Sequence, residues 1–561
     1  MLNVIGRSQR GRTCEYSRGN VSIKTPFVIG SDGESEVFIS VSDGGRKLNM
    51  FGSEIPLDIG LLTSASSRKD IPPFCKDGIC VIRLPFTGEH TIPDETEVVV
   101  VPNAFELRKD PRKLVDSVIR IRESIGHNRL LCMLGIAEPS TLSLLAYMGA
   151  DIFDDSLVKA AGLRGMRLIP EGEVCTGSDV SGENIGDLRS ECRKTAMFTE
   201  SGRLRELVDQ RSVSSPSSVA ALRIFDDAGY GYQEECCSTV GTRFACNTTQ
   251  ALRRPDLKIY REKISERYRK PEHKRILLLL PCSAKKPYHI SKSHKAFASA
   301  IHTAQHDTLV HEVIVTSPLG IVPRELDIFY PANSYDIPVT GEWKCQEKEM
   351  IRSMLSRIIS QGYDKVVCHL GEDAELVRGL ADMEETAVDP VSPVSLRNLD
   401  DALRRAAADM IPMDYSVERT ETVRSVLTFQ FGGDIADAVM SDGSYVIGKF
   451  PYWKIMRDGE AGKIQLGMMT PERGMISLTL EGAEIASRFG KYTVEMTDFE
   501  MKGNLFAVGV IGADIGIRPG DEAMVMLNGK TVAVGVAMMS GREMTDLRRG
   551  IAVKIRHKKK W

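Results

Sequence analysis

Residues 276–288 read Ile276-Leu277-Leu278-Leu279-Leu280-Pro281-Cys282-Ser283-Ala284-Lys285-Lys286-Pro287-Tyr288. Five consecutive aliphatic residues without polar alternation mark a strand covered on both faces, as in a parallel sheet. The run stops at a proline. Residues of several chemistries follow at once, and Ser291-Lys292-Ser293-His294 lies just beyond. Working outward, Val313–Thr316 and Lys365–Leu370 are two more buried strands, and Gln346–Ser360 is a helix between them. Strands alternating with helices build a parallel sheet, and such sheets bind ligands outside the carboxyl ends of their strands. Each of the three strands ends in a polar cluster. The second runs through Ser317-Pro318-Leu319-Gly320 to Pro323-Arg324-Glu325-Leu326 and Tyr335-Asp336-Ile337-Pro338-Val339-Thr340-Gly341, and the third through His369 to Gly371-Glu372-Asp373. One crevice facing all three clusters is expected.

In that crevice Cys282 is a candidate nucleophile, because neighbouring lysines and His294 would lower its thiol pKa. Lys286, Ser291 and Ser293, with backbone N–H groups of the turn, suit an anion. His294 is a candidate general acid or base. Each residue also has an ordinary structural role: a small buried cysteine, a solvated lysine pair, a Ser-x-Ser helix cap. The density of cysteine, lysine, tyrosine, serine and histidine within a few turns of one strand end favours the chemical reading.

The remainder divides by pattern into residues 1–257, the α/β segment 258–413, a strand- and turn-rich segment 414–487, and a small β-rich segment 488–561. In the first, Glu97–Val101 and Leu130–Leu134 read as buried strands, and Ile152–Phe153 starts another. A helix is expected from Asp110, with Pro111 early in it, and a second from Pro139 to near Gly149. Barrel and open sheet are not separable on this basis. Gln210–Ala220 reads as a loop, and Asp256–Lys270 as a basic helix. In the last segment glycines recur near strand ends, which suggests a small barrel.

Composition is that of an ordinary globular chain, 42% hydrophobic and 27% charged, with a net charge of -3. Charge is unevenly placed: residues 541–561 carry eight basic side chains, among them Arg548, Arg549, Lys554, Arg556, Lys558, Lys559 and Lys560, against two acids. That asymmetry points to an anionic partner. No apolar run is long enough for a membrane helix, and the start lacks the apolar stretch of a signal peptide. A cytoplasmic chain with mostly reduced thiols is expected. Neither Cys75-x4-Cys80 nor the adjacent Cys236 and Cys237 belongs to a four-ligand zinc pattern.

The segment Pro281-Cys282-Ser283, Lys286-Pro287-Tyr288 and Ser291-x-Ser293-His294 resembles, without gaps, the signature P-C-S-x-x-K-P-Y-x-x-S-x-S-H of archaeosine synthases, archaeal relatives of tRNA-guanine transglycosylases. Residues 317–326 and 335–341 are similar to the same family. Leu134-Gly135-Ile136-Ala137-Glu138-Pro139 and Gly149-Ala150-Asp151-Ile152-Phe153-Asp154 resemble late barrel strands of the transglycosylase fold. Gly512-Ala513-Asp514, Pro519-Gly520-Asp521-Glu522 and Val534-Gly535-Val536-Ala537 resemble a PUA domain, an RNA-binding module. The resemblance implies a multidomain α/β architecture with small β domains: a degenerate transglycosylase-type (β/α) barrel, a three-layer α/β catalytic domain, a connecting α+β domain and a PUA β-barrel. The sequence departs from base-exchanging transglycosylases at two places. Their base-gripping Asp-Ser-Gly-Gly has no nearer counterpart than Ser42-Asp43-Gly44-Gly45, and their zinc pattern is absent around Cys175 and Cys192. Asp154, which matches their nucleophile, is then a relic, and neither zinc nor another cofactor is expected.

As the family acts, the resemblance implies addition of an amine, lysine by the better-supported route, across the nitrile of 7-cyano-7-deazaguanine already in the D-arm of tRNA. A separate radical-SAM partner then releases the archaeosine base. Cys282, Lys286 and His294 would be catalytic. Ser283, Tyr288, Ser291, Ser293, Glu325, Tyr335 and Asp336 would bind substrate, Glu325 and Asp336 taking the donor's ammonium group. The basic C-terminal residues would meet tRNA phosphates, and a homodimer is compatible with relatives of the fold. Two further classes stay open: guanine or deazaguanine base exchange, and a non-catalytic scaffold presenting tRNA.

Overall fold

The computed structural model describes residues 2–30, 36–42, 45–58, 71–304, 306–339, 341–441, 443–460, 462–470, 472 and 475–560. Asp43 and Gly44 of the Ser42–Gly45 stretch, Thr340 of the 335–341 stretch, and Trp561 lie outside these residues.

The N-terminal part is built on a six-stranded sheet in the order Phe27–Ile29, Ile152–Asp154, Leu130–Met133, Val98–Val101, Ile79–Val81, Phe74–Lys76. The first five run parallel and the last is antiparallel. All four residues of Val98–Val101 and of Leu130–Met133 are buried, which is why both stretches read as unbroken apolar runs. Helix Pro111–Ile125 begins as the sequence predicts, Asp110 accepting from the Lys113 N–H with proline in the first turn. No pairing among the described residues joins Phe27–Ile29 to Phe74–Lys76; beside Phe27–Ile29, a Gly30–Phe38 bridge leads on to the antiparallel strands Phe38–Ser42, Gly45–Met50 and Ser53–Pro56. Cys75 and Cys80 meet across the antiparallel pair as a disulfide, and the remaining cysteines are free thiols. Gln210–Ala220 is not a loop: helix Leu204–Ser212 ends in it and helix Pro216–Asp227 starts in it. Ser215 caps the second by accepting from the Ser218 N–H at 3.1 Å, a serine-proline start that resembles turn chemistry when read without the helix behind it.

The central α/β part holds a five-stranded sheet in the order Gly320–Pro323, Val310–Thr316, Ile276–Pro281, Lys365–Cys368, Glu384–Glu385. Ile276–Pro281 is the middle strand, parallel to both neighbours. Ile276 through Leu280 are fully buried, each worth about 2–5 kcal/mol against truncation to alanine. Helices Lys292–Thr303, Cys345–Ile359 and Pro393–Ala407 accompany the sheet.

The third part differs from its strand-rich reading. It opens with helices Tyr415–Phe431 and Gly433–Val439 before the antiparallel strands Ser444–Ile447, Lys454–Gly459, Gly462–Thr470 and Met475–Leu478. Val423 and Val426–Phe431 are buried on every side, so the apolar stripe that reveals a helix is missing. The C-terminal part is a six-stranded sheet in which Ile551–Lys558, the basic stretch, pairs with Lys530–Ala537 and Leu505–Phe506. It packs on the N-terminal part: Thr239 N–H donates to the Pro519 carbonyl at 2.8 Å, and Arg7 Nε meets Glu543 at 2.8 Å. No described helix is long and apolar enough to cross a membrane.

Candidate active site

Because Ile276–Pro281 is the middle strand, its carboxyl end delivers Cys282 between the ends of Val310–Thr316 and Lys365–Cys368. Residues 282–287 then form an open turn, Tyr288–Ile290 a short 3-10 turn, and Lys292–Thr303 a helix. The chain turns where it does because Tyr288 is driven fully inside. Its hydroxyl meets those of Tyr335 and Thr316, the latter at 3.3 Å, and the Tyr335 hydroxyl also bonds Thr316. This hydroxyl set is buried beneath the strand end. Lys286 lies over it, its Nζ 3.9 Å from the centre of the Tyr335 ring, a cation–π placement.

The electrostatics differ from the expectation for Cys282. The residue is exposed, yet desolvation pushes its thiol up, and Lys286 and Thr316 only partly oppose this. Desolvation pushes the Lys286 ammonium down, against the opposing influence of Cys282 and Asp336. Both shifts lean toward the uncharged forms, thiol and amine, and away from a preformed thiolate. Asp373, from the third strand end, also acts on Cys282, in the raising direction. It is held by the Trp343 indole N–H at 2.8 Å. All three strand-end clusters therefore meet. Thr316 and Trp343 carry no motif of their own in the sequence; only their place at a strand end and beside it could have singled them out.

Other candidate residues are placed elsewhere or are already occupied. Ser291 caps the helix, accepting from the His294 N–H at 3.2 Å, and its hydroxyl lies 3.2 Å from that of Ser293. Ser283 is half-buried and makes no hydrogen bond among the described residues. His294 is buried, with its Nδ1 2.7 Å from the Arg324 guanidinium. Burial first, and then Arg324, bring its pKa down to about 3. It is therefore neutral, with Nδ1 as acceptor. Glu325 is buried away from solvent, accepting from the Tyr268 hydroxyl and lying 3.5 Å from His311. Asp336 is partly open and pairs with Arg243 at 2.5 Å.

The basic C-terminal residues also divide. Arg556 forms a two-pronged pair with the fully buried Glu522 and donates to the Leu478 carbonyl at 2.9 Å. Lys558 bonds the Met501 carbonyl at 2.6 Å, and Lys559 lies 3.7 Å from Glu484. Arg548, Arg549, Lys554 and Lys560 are exposed. Asp154 sits at the carboxyl end of its strand in the N-terminal sheet, 2% exposed. It accepts from Gly135 N–H at 2.5 Å and from Ser156 N–H at 3.3 Å.

A model described as "Domain of unknown function (DUF5591)" matches residues 257–403, and a PUA domain model matches residues 493–559. An archaeosine synthase from Haloferax volcanii is 33% identical over 80% of this chain and 80% of its own length. A tRNA-guanine(15) transglycosylase from Methanobrevibacter smithii is 24% identical over 79% of this chain and 69% of its own. The archaeosine synthase subunit alpha of Thermoplasma acidophilum is 34% identical over 85% of this chain and 91% of its own. At that identity and coverage, the chain belongs to the archaeosine synthase family.

Proposed function

We propose that this chain acts in archaeosine biosynthesis on tRNA, adding an amine, lysine by preference, to the nitrile of 7-cyano-7-deazaguanine in the D-arm to give an amidine. The observation that carries the reading is the placement of Cys282 and Lys286 together at the middle strand end, above the Tyr288–Thr316–Tyr335 hydroxyls, with the thiol pushed up and the ammonium pushed down by desolvation. Nitrile addition needs a nucleophile for carbon and a proton for nitrogen. Lys286, in its amine form, takes the proton of Cys282 as sulfur bonds to the nitrile carbon. The same proton then passes to the nitrile nitrogen, giving a thioimidate. The incoming amine displaces the sulfur, the thiol regains a proton from it, and the amidine is left. No redox partner enters. Asp336 and Asp373, the carboxylates acting on this pair, would hold the ammonium of the donor. Glu325, tied to Tyr268 and His311, and neutral His294, tied to Arg324, support the crevice from behind.

The base must leave its stack to reach the pair. The division into units 1–257, 258–413, 414–487 and 488–561 assigns this chemistry to the second and tRNA contacts to the fourth. A radical-SAM lyase acting on the amidine would follow as a separate, cytoplasmic partner, and a homodimer of this chain is part of the same reading. The test is nucleoside mass spectrometry after incubation with tRNA bearing the nitrile base and lysine. The expected product is heavier by one lysine and is absent with Cys282→Ala. An unchanged nitrile with bound tRNA and several amines tried would overturn single-chain synthesis in favour of a tRNA-presenting scaffold.

A further inference from the structure

Away from the crevice, a cleft of about 560 Å³ opens between the N-terminal part and the C-terminal sheet. Five arginines line it, from four segments: Arg10 on the turn before strand Gly11–Arg18, Arg122 near the end of helix Pro111–Ile125, Arg129 beyond it, and Arg542 and Arg548 from the C-terminal part. Its charge is not balanced at the floor. Arg122 is 6% exposed. Its acidic partner, Asp151, is 3.5 Å away. That carboxylate is already gripped by Arg12 through Nε at 2.9 Å and Nη2 at 3.0 Å, and accepts from Leu131 N–H at 2.8 Å. Two buried guanidiniums thus share one carboxylate, an arrangement that costs free energy unless another anion approaches. Burial and the neighbouring Arg12 accordingly pull Arg122 below its ordinary range.

The acids of the cleft do not cancel this. Glu235 is bound to Arg10 at 2.8 Å, and Asp546 accepts from His127 N–H at 3.0 Å. Asp94 and Glu123 stand exposed at the rim, where water screens them. Nor does the cleft suit a cation. His127, Glu235 and Cys236 place ligand atoms within 4.8 Å of one another, but Arg10 already occupies that corner, 3.3 Å from His127 Nε2 and 2.8 Å from Glu235.

We propose that this cleft is a binding site for the phosphodiester backbone of RNA, with Arg122 beneath it and Arg542 and Arg548 at its edge. The inference rests on the reading of the chain as a tRNA-modifying protein and extends its tRNA contacts from the C-terminal strand to a surface shared with the N-terminal part. Arg10 and Arg129 are spent on the protein itself, Arg129 on the Thr96, Ile125 and Pro93 carbonyls and Arg10 on the Tyr232 carbonyl and Glu235. The volume far exceeds one phosphate, and Arg122, Arg542 and Arg548, from the helix end and the C-terminal part, suit successive phosphates better than a single anion. Arg542 is half-exposed, with Glu235 no nearer than 3.7 Å, and Arg548 makes no ion pair among the described residues, so both are available.

The experiment measures binding of the full chain to an in vitro transcribed tRNA across a potassium chloride series. Arg542→Ala with Arg548→Ala should weaken binding about tenfold and reduce the slope of log K against log salt by about one per lost contact. Cys282→Ser should keep wild-type affinity and slope. Arg122→Gln, checked for an unchanged melting curve, should act like the double variant; if it unfolds, the double variant alone decides. Unchanged affinity and slope in the double variant, with Cys282→Ser still inactive, would overturn the cleft and leave the crevice standing. Protection by inorganic phosphate that the arginine variants abolish, with RNA slope unchanged, would make it a small-anion site and also overturn the proposal. Failure of the wild-type chain to bind tRNA would remove both readings together.

Discussion

Two strand ends in this molecule offer the same topological opportunity and use it differently. Cys282 follows the middle strand of the α/β sheet, and Asp154 closes an interior strand of the N-terminal sheet. Cys282 is exposed and its polar neighbours leave it reactive capacity. Asp154 is sealed, both carboxylate oxygens accepting backbone N–H bonds from Gly135 and Ser156. Burial pushes its pKa up, those two donors only partly opposing it. The contrast teaches that a reactive residue type at a strand end is only an opportunity. On the proposed reading, what would separate a site from a relic is whether the group's bonding capacity has already been taken by its own protein. Groups left unsatisfied should reveal themselves in turnover, and satisfied groups in stability.

The sharpest way to break that comparison is at Lys286. If its function is to move a proton as a neutral amine, then arginine, which does not deprotonate in proteins, cannot replace it. Lys286→Arg and Lys286→Met should both lower amidine formation about 10²–10⁴-fold, with tRNA affinity unchanged. A fully active Lys286→Arg would show that only the positive charge matters, and proton transfer through Lys286 would be the wrong description.

Arg556 sharpens it from the other side. In sequence it is one of seven basic candidates for RNA contact; in the fold it is spent on Glu522 and the Leu478 carbonyl. Arg556→Met takes the guanidinium from a fully buried carboxylate, which keeps the Leu478 N–H at 3.2 Å, and should cost about 3 kcal/mol in urea unfolding. The salt dependence of tRNA binding should stay where it was. A reduced slope with unchanged stability would return Arg556 to the RNA surface.

Next in size is the acid behaviour of the contact between the N- and C-terminal parts. Burial alone would raise the Glu543 carboxyl, but Arg7 and then His127 bring it down to about 2 from an ordinary 4.5. A depressed carboxylate contributes stability that is present above the unfolded value and lost as pH falls through the folded one. The loss should therefore run from about pH 4.5 to about pH 2, on the order of 2–3 kcal/mol. Glu543→Gln should flatten unfolding free energy across that window. An undiminished acid dependence in that variant would assign it to other carboxylates.

Legibility followed the same division. The central sheet was readable because Ile276–Leu280 is apolar throughout and each strand end changes abruptly to polar residues, and the structure keeps those strands and the helix Cys345–Ile359 within a few residues of expectation. Helix Tyr415–Phe431 was not readable, since burial on all sides of its second half erases the periodic signal. At the site, the motif residues Cys282, Lys286 and Tyr288 were visible. Partners arriving through space, Thr316 and Trp343 above all, were not, because nothing local marks them. Glu325 and Arg556 look free in sequence for the converse reason: their partners, Tyr268 and Glu522, lie 57 and 34 residues away.

The smallest effect is expected at Asp154 itself, and it decides the comparison. Asp154→Asn keeps an acceptor for the Gly135 N–H and removes the carboxylate that base exchange on ribose would require. If the residue is only a sealed strand end, stability should fall by about 1 kcal/mol, the net value of one intramolecular hydrogen bond made less well. Amidine formation should stay within about twofold, below the smallest loss expected of a general base. A tenfold loss of turnover at unchanged stability would mean that Asp154 meets the substrate after an opening of its cover. The two strand ends would then be two stations of one reaction, and satisfaction in the resting fold would no longer separate site from relic.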